Sequence, residues 1–180
     1  MRAVVVYESM YGNTHLVADA IGEGLGALGE VTVVSAHRAD RELLAAADVV
    51  VVGGPTHAHG MTHASTRRAA ADAAGKPDSD LDLDPDAEGP GLREWFADIG
   101  QVDGSAAAFD TRMPGPPALT GRASKGIARK LRQHGATLVA EPESFLVTKD
   151  NHIEAEEGQR AVAWGEKLAA AVAKITAQAE

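Results

Sequence analysis

Apolar positions along the chain follow two periods, and the switches between them outline the elements. Ala3, Val4, Val5 and Val6 form a β-branched run with little polarity on either side, the pattern of a central parallel strand buried on both faces. Beyond it Leu16, Val17, Ala20, Ile21, Leu25 and Leu28 recur at helical spacing and predict a helix with one buried stripe. Val31 to Val34 reads as a second strand, Ala39 to Ala47 as a helix with Leu43 and Leu44 inward, and Asp48 to Val52 as a third strand. A helix is expected from His63 or Ala64 to Ala74, a short one from Leu92 to Ile99, and a fourth strand from Ser105 to Phe109. Asp110 to Pro117 reads as loop. Thr120 to His134 is then a helix burying Ala123, Ile127 and Leu131, and a strand from Thr137 to about Val147 is broken or kinked near Pro142. The last helix, about Glu154 to Gln178, turns Ala161, Leu168, Val172 and Ile175 inward.

Five strands alternating with helices imply an α/β fold, a doubly wound five-stranded parallel sheet with helices on both faces. Right-handed crossovers leave two common strand orders. The whole chain, 1–180, reads as one domain without internal repeats. Its one long break in periodicity, 75–91, is rich in Pro, Gly and Asp and is expected to be a mobile acidic loop that contributes little to folding.

The richest chemistry lies between the first strand and first helix, in Glu8-Ser9-Met10-Tyr11-Gly12-Asn13-Thr14. A loop that leaves a strand and opens a helix points free N–H groups and the positive end of the helix dipole at one spot, which suits an anion. Ser9, Tyr11 and Thr14 add hydroxyls, Asn13 an amide, and Gly12 a backbone free to bend. The loop contains neither Lys nor Arg, nor the Gly-x-Gly-x-x-Gly or Gly-Lys-Ser/Thr spacing of dinucleotide and triphosphate loops. What remains is a neutral cradle for one terminal phosphate.

Here the sequence resembles the flavodoxin family, whose phosphate loop reads Thr/Ser-x-Thr-x-Gly-x-Thr or close variants; the match falls on Ser9, Gly12 and Thr14. Gly53-Gly54-Pro55-Thr56 after the third strand is a second flavodoxin-like feature. The resemblance spans nearly the whole chain and favours the strand order 2-1-3-4-5. It implies that the loops after strands 1, 3 and 4 enclose FMN. The residues it assigns to the cofactor are Ser9, Met10, Tyr11, Gly12, Asn13 and Thr14, then Pro55, Thr56, His57, Ala58, His59 and Gly60, and finally Asp110, Thr111, Arg112 and Met113. Flavodoxins usually flank the flavin with Trp or Tyr. The second and third of these loops have neither, and Trp95 and Trp164 sit in helical patterns that suit the core. Histidines, Met61, Met113 or Arg112 would face the ring, with the two loop histidines and Arg112 favouring its reduced, anionic form.

Composition trims the alternatives. Seventeen Lys and Arg against 26 Asp and Glu give a net charge of −9, which argues against nucleic acid and allows a basic protein partner. Without cysteine there is no disulfide, iron–sulfur cluster or thiolate zinc site. The first apolar run is too short for a signal peptide and no stretch is long enough to span a bilayer, so a cytoplasmic protein with no membrane partner is expected. His57, His59, His63 and His15 lack accompanying acidic ligands, so no metal site is expected. The run from Asp78 to Glu88 lacks the glycine of a calcium loop and contains Pro85. Arg122, Lys125, Arg129, Lys130 and Arg132 read as a solvated helix face.

The expected function is electron transfer by bound FMN between a reductase and an acceptor protein. The second reading is an NAD(P)H-dependent quinone reductase of the tetrameric flavodoxin-like type, which Ser9-Met10-Tyr11-Gly12 also resembles. The third is a flavodoxin-like module that no longer binds FMN. No catalytic nucleophile or paired carboxylate stands out.

Overall fold

The computed structural model describes residues 1–57, 59–87 and 89–179. Five strands run parallel along one sheet: β1 (Arg2–Tyr7), β2 (Glu30–Ser35), β3 (Val49–His57), then, after a two-residue antiparallel strand β4 (Gly60–Met61) that folds back on β3, β5 (Ser105–Arg112) and β6 (Thr137–Leu138). Their order is β2-β1-β3-β5-β6, and a further piece, β7 (Glu143–Leu146), pairs with the far half of β5. β6 and β7 together are the fifth strand of the expected 2-1-3-4-5 order, interrupted across 139–142 where Pro142 withholds an N–H.

The helices are α1 (Asn13–Leu25), α2 (Arg41–Ala45), α3 (Ala64–Ala74), α4 (Leu92–Asp98), α5 (Pro117–Thr120), α6 (Ala123–Gln133) and α7 (Glu157–Ala179). Because strand side chains alternate, the valine runs serve two cores at once. Val4, Val6, Val50, Val52, Ala106 and Ala108 meet α4 and α6 on one face, through Trp95, Phe96, Ile127 and Leu131. Ala3, Val5, Val49, Val51, Ala107 and Phe109 meet α1 and α7 on the other, through Val17, Ile21, Leu25, Ala161, Leu168 and Val172. There α1 and α7 touch backbone to backbone at two glycines. A Cβ on Gly24 would lie 2.1 Å from the carbonyl oxygen of Val162, and one on Gly165 would lie 2.4 Å from that of Ile21. Both Trp95 and Trp164 are core residues, as their helical patterns suggest; the Trp95 indole N–H donates to the Ala39 carbonyl at 2.8 Å.

Several details depart from the sequence reading. Leu16 is exposed, because α1 buries the stripe through Thr14, Val17, Ala18 and Ile21, off which Leu16 falls. Ile175 is exposed, as are all the side chains from 173 to 178, beyond the last buried position of α7 at Val172. Asp110, Thr111 and Arg112 are not loop but the end of β5, paired with β7. The helix expected over Thr120 to His134 is two helices, separated at Gly121. That residue has φ +76° and bridges the backbone of His59, where a side chain would collide.

The described residues of the acidic segment form no helix or strand, but they are anchored where the sequence suggested solvent. Asp84 and Ala87 are buried, and the Asp84 N–H donates to the Met10 carbonyl at 2.8 Å. The Asp84 carboxylate lies 3.0 Å from His15 Nδ1 through Oδ2 and accepts the Asp86 N–H through Oδ1. His15 in turn stacks on Tyr7, 4.3 Å between ring centres, with Tyr7 Oη 3.0 Å from Nε2. Burial, and then the charges of Asp84, Asp86 and Asp19, push the Tyr7 phenol well above its ordinary value, so it remains a neutral donor. Asp86 pairs with Arg38 at 2.9 Å. Glu88 lies outside the described residues. Among these, no helix is long and apolar enough to cross a membrane.

The buried contacts of Asp84 generate a prediction opposite to that of a free loop. Asp84→Ala leaves the Asp86 N–H and His15 Nδ1 without these partners and is expected to lower unfolding free energy by about 1–3 kcal/mol. Asp80→Ala, an exposed position in the same segment, is expected to change it by less than about 0.5 kcal/mol. Urea denaturation of both variants checks the pair.

Candidate functional site

Register decides where the loops meet. β1 pairs with β3 through Tyr7 and Gly53, and β3 with β5 through Gly54–Asp110 and Pro55–Thr111, so the three strands end level at their C-terminal edge. The chain passes from β1 outward to β2 on one side and to β3 and β5 on the other, and the crevice between these diverging connections is the usual ligand position in such sheets. A cavity of about 300 Å³ lies there.

Its floor is the loop after β1. Gly12 stands at φ +86° with open space around its Cα, so glycine is required here by the backbone turn and not by crowding. Its N–H donates to Ser9 Oγ at 3.1 Å, its carbonyl accepts the first helical N–H from Leu16, and no side chain caps α1. The free N–H groups of the first turn therefore face the cavity uncapped, beside the buried Ser9 and Thr14. Thr14 Oγ1 lies 2.7 Å from Thr111 Oγ1, a hydroxyl pair that joins the loop to the end of β5. Tyr11 lines the cavity while its hydroxyl donates to the Ala70 carbonyl of α3 at 2.9 Å. Met10, buried, completes this wall.

From β3 come Pro55, Thr56 and His57. Thr56 Oγ1 accepts the Ala123 N–H at 2.9 Å, which leaves its own O–H to donate. Burial lowers the His57 imidazole below the ordinary histidine value, with Glu8 pulling the other way. Beyond His57 the hairpin to β4 turns through His59 at φ +71°; His59 is exposed and neither it nor Gly60 lines the cavity. Ala58 lies outside the described residues.

The end of β5 contributes Thr111, Arg112 and Met113. Asp110, assigned to the cofactor from the sequence, faces away: it is fully buried, and its Oδ2 accepts the Ser124 N–H at the start of α6 at 2.7 Å. The Arg112 guanidinium donates to the carbonyls of Met113 and Gly115 and to Thr120 Oγ1, which ties the 113–120 segment to β5. Asn13 is also used otherwise than expected. Its amide donates to the Asn151 carbonyl at 2.9 Å and to Asn151 Oδ1 at 3.1 Å.

That contact belongs to a fourth wall, Val147, Thr148, Lys149 and Asn151, which the sequence reading missed. The signal available was topological. The strand before this turn is parallel to the others, so its loop must leave at the same sheet edge.

The lining has a distinct charge pattern. The chain is strongly acidic, yet among the described residues no carboxylate lines this cavity, whereas Arg112 and Lys149 do. Glu8 is buried and turned away from the cavity, accepting from the Thr62 hydroxyl and from the Leu92 N–H at the start of α4. Apolar surface comes from Met10, Pro55, Met113 and Val147, and Tyr11 supplies an aromatic ring. The cavity combines an anion cradle with walls for a flat apolar body. Among the described residues no three His, Asp or Glu side chains cluster as metal ligands.

The flavodoxin family model matches residues 5–89. No curated protein matches the chain in sequence. Among solved structures, a flavodoxin from the domain Archaea is 24% identical at a TM-score of 0.64, over 96% of this chain and 99% of that one. Oxidised flavodoxin 1 from Bacillus cereus is 21% identical at 0.62, over 97% and 98% of the two chains. The flavodoxin of Streptococcus pneumoniae TIGR4 is 21% identical at 0.63, over 94% and 99%. Over residues 5–89 the chain is similar in sequence to the flavodoxin family, and along nearly its whole length it has the flavodoxin fold.

Proposed function

We propose that the protein binds FMN in this cavity and carries electrons between protein redox partners in the cytoplasm. The observation that carries the reading is the donor set: hydroxyls of Ser9, Thr14, Thr56 and Thr111 beside an uncapped helix start, with no carboxylate in the lining among the described residues. This suits a phosphate monoester, and the apolar and aromatic walls suit an isoalloxazine ring. When bound, FMN supplies the electron chemistry, and the protein supplies position and electrostatics.

The roles follow from placement. Ser9, Thr14 and the N–H groups after Gly12 hold the phosphate, with Thr111 keeping Thr14 in place. Met10, Tyr11, Pro55, Thr56 and Met113 bound the ring, and Arg112 places a fixed cation at the edge where the β5 loop leaves. His57, half-buried and neutral near pH 7, stands as a proton acceptor at the β3 side. The acidic surface suits a partner with a basic docking face.

The first test is affinity. A hydroxyl bonded to a charged phosphate contributes about 1.5–3 kcal/mol, so Ser9→Ala combined with Thr14→Ala is expected to weaken FMN by at least about tenfold in a flavin-fluorescence titration. Equal binding by parent and double variant would place the cofactor elsewhere.

The second test separates carrier from reductase. Mixed in a stopped-flow instrument, NADPH alone is expected to bleach the bound flavin slowly, and a flavoprotein reductase to do so rapidly. Fast bleaching by NADPH with turnover on a quinone would instead make the protein an enzyme.

The third concerns protons. Because the folded His57 value lies below the ordinary 6.5, the unfolded chain takes up a proton at higher pH than the folded one. Stability of the flavin-free protein is thus full above that range and is lost as pH falls through it. His57→Asn is expected to flatten this loss and to flatten any pH dependence of the flavin potential across the same range. His59→Asn, at an exposed position outside the cavity, is expected to leave both as in the parent, which paired denaturation and potentiometric titrations will read.

A further inference from the structure

We propose that the turn after β7 is a fourth cofactor loop, and that Lys149 on it supplies a cation to the flavin phosphate. This rests on the FMN reading above and adds to it a group that the neutral loop after β1 lacks. Lys149 lines the same cavity as Ser9, Asn13 and Thr14. It is exposed and enters no ion pair among the described residues, in a chain with an excess of carboxylates.

The turn is built to a fixed shape. Val147 bridges Ile153, the Thr148 N–H donates to the His152 carbonyl at 2.7 Å, and the Asn151 N–H donates to the Thr148 carbonyl at 3.1 Å. Asn151 takes φ +59°, a conformation that asparagine tolerates better than most residues. The turn is fastened at two sides: the Val147 N–H donates to the Arg112 carbonyl at 2.9 Å, and the Asn13 amide grips Asn151 from the first turn of α1. Asn13 is thus a positioning residue, holding the turn against the helix start where the phosphate sits. Two residues before Asn151, the Lys149 side chain is long enough to follow the phosphate while its backbone stays fixed. Arg112, bound to the 113–120 segment, serves the other end of the cavity.

A lysine at a solvent-facing rim is screened, so its contribution is modest and depends on salt. In the full-length protein at low ionic strength, Lys149→Gln is expected to weaken FMN about three- to tenfold, with the gap closing at high salt. Riboflavin, which has no phosphate, is expected to bind parent and variant alike, and Lys149→Arg is expected to retain most of the FMN affinity and its salt dependence. If FMN affinity and its salt dependence are the same in parent and Lys149→Gln, the inference is overturned while the FMN reading stands. Equal weakening of FMN and riboflavin would overturn it too, since the lysine would then act on the ring or the fold. A parent that binds neither flavin would remove both readings together.

Discussion

The parallel pairing of β1 with β3 is the constraint on which the cleft depends. It brings Tyr7 level with Gly53, and through β3 it brings Thr111 level with Pro55. Only with the strand ends aligned can the Thr14 hydroxyl reach that of Thr111, and this short contact spans a long separation in sequence. The alignment is itself enforced by burial. Val4, Val6, Val50 and Val52 face one layer of helices, and Val5, Val49 and Val51 the other. A slip of one residue would exchange the two sets and expose neither polar nor apolar groups correctly matched to their helices.

Around this frame, the loop after β1 is held from several directions. Tyr11 is tied to α3, Asn13 to the turn after β7, Thr14 to β5, and the Met10 carbonyl to Asp84. Such cross-bracing leaves the polar groups of the loop positioned in advance, so that little ordering entropy remains to oppose binding. It also explains the spread of polar burial. Ser9 and Thr14 are buried at the floor of the cavity, whereas Glu8, next to Ser9 in the chain, is buried against the start of α4, whose Leu92 N–H it accepts.

What was legible in the sequence follows from how local each signal is. The valine alternation, the stripe of α1, the break near Pro142 and the convergence of three loops all rest on near neighbours or on sheet topology. Asp84 was illegible because its burial depends on His15 and Tyr7, far away along the chain, while its acidic neighbours signal solvent. Asp110 was misplaced because the strand runs three residues beyond its apolar stretch, which turns that side chain to the α6 side. The break at Gly121 answers to the backbone of His59, and the fourth wall of the cavity to a strand in two short pieces. In each case a distant partner overrides a local preference.

The contact between Gly24 and Gly165 bears on the order in which the molecule comes into being. The ribosome delivers α1 and its loop well before α7, so until α7 emerges the stripe of Val17, Ile21 and Leu25 lacks the helix that covers it. The hydroxyl partner of Thr14 and the asparagine that meets Asn13 also emerge late, from β5 and from the turn after β7. A nascent chain therefore exposes the loop before β5 and the turn after β7 are there to support it. Truncation within α7 would uncover the stripe of α1, and so act on the helix that this early loop opens.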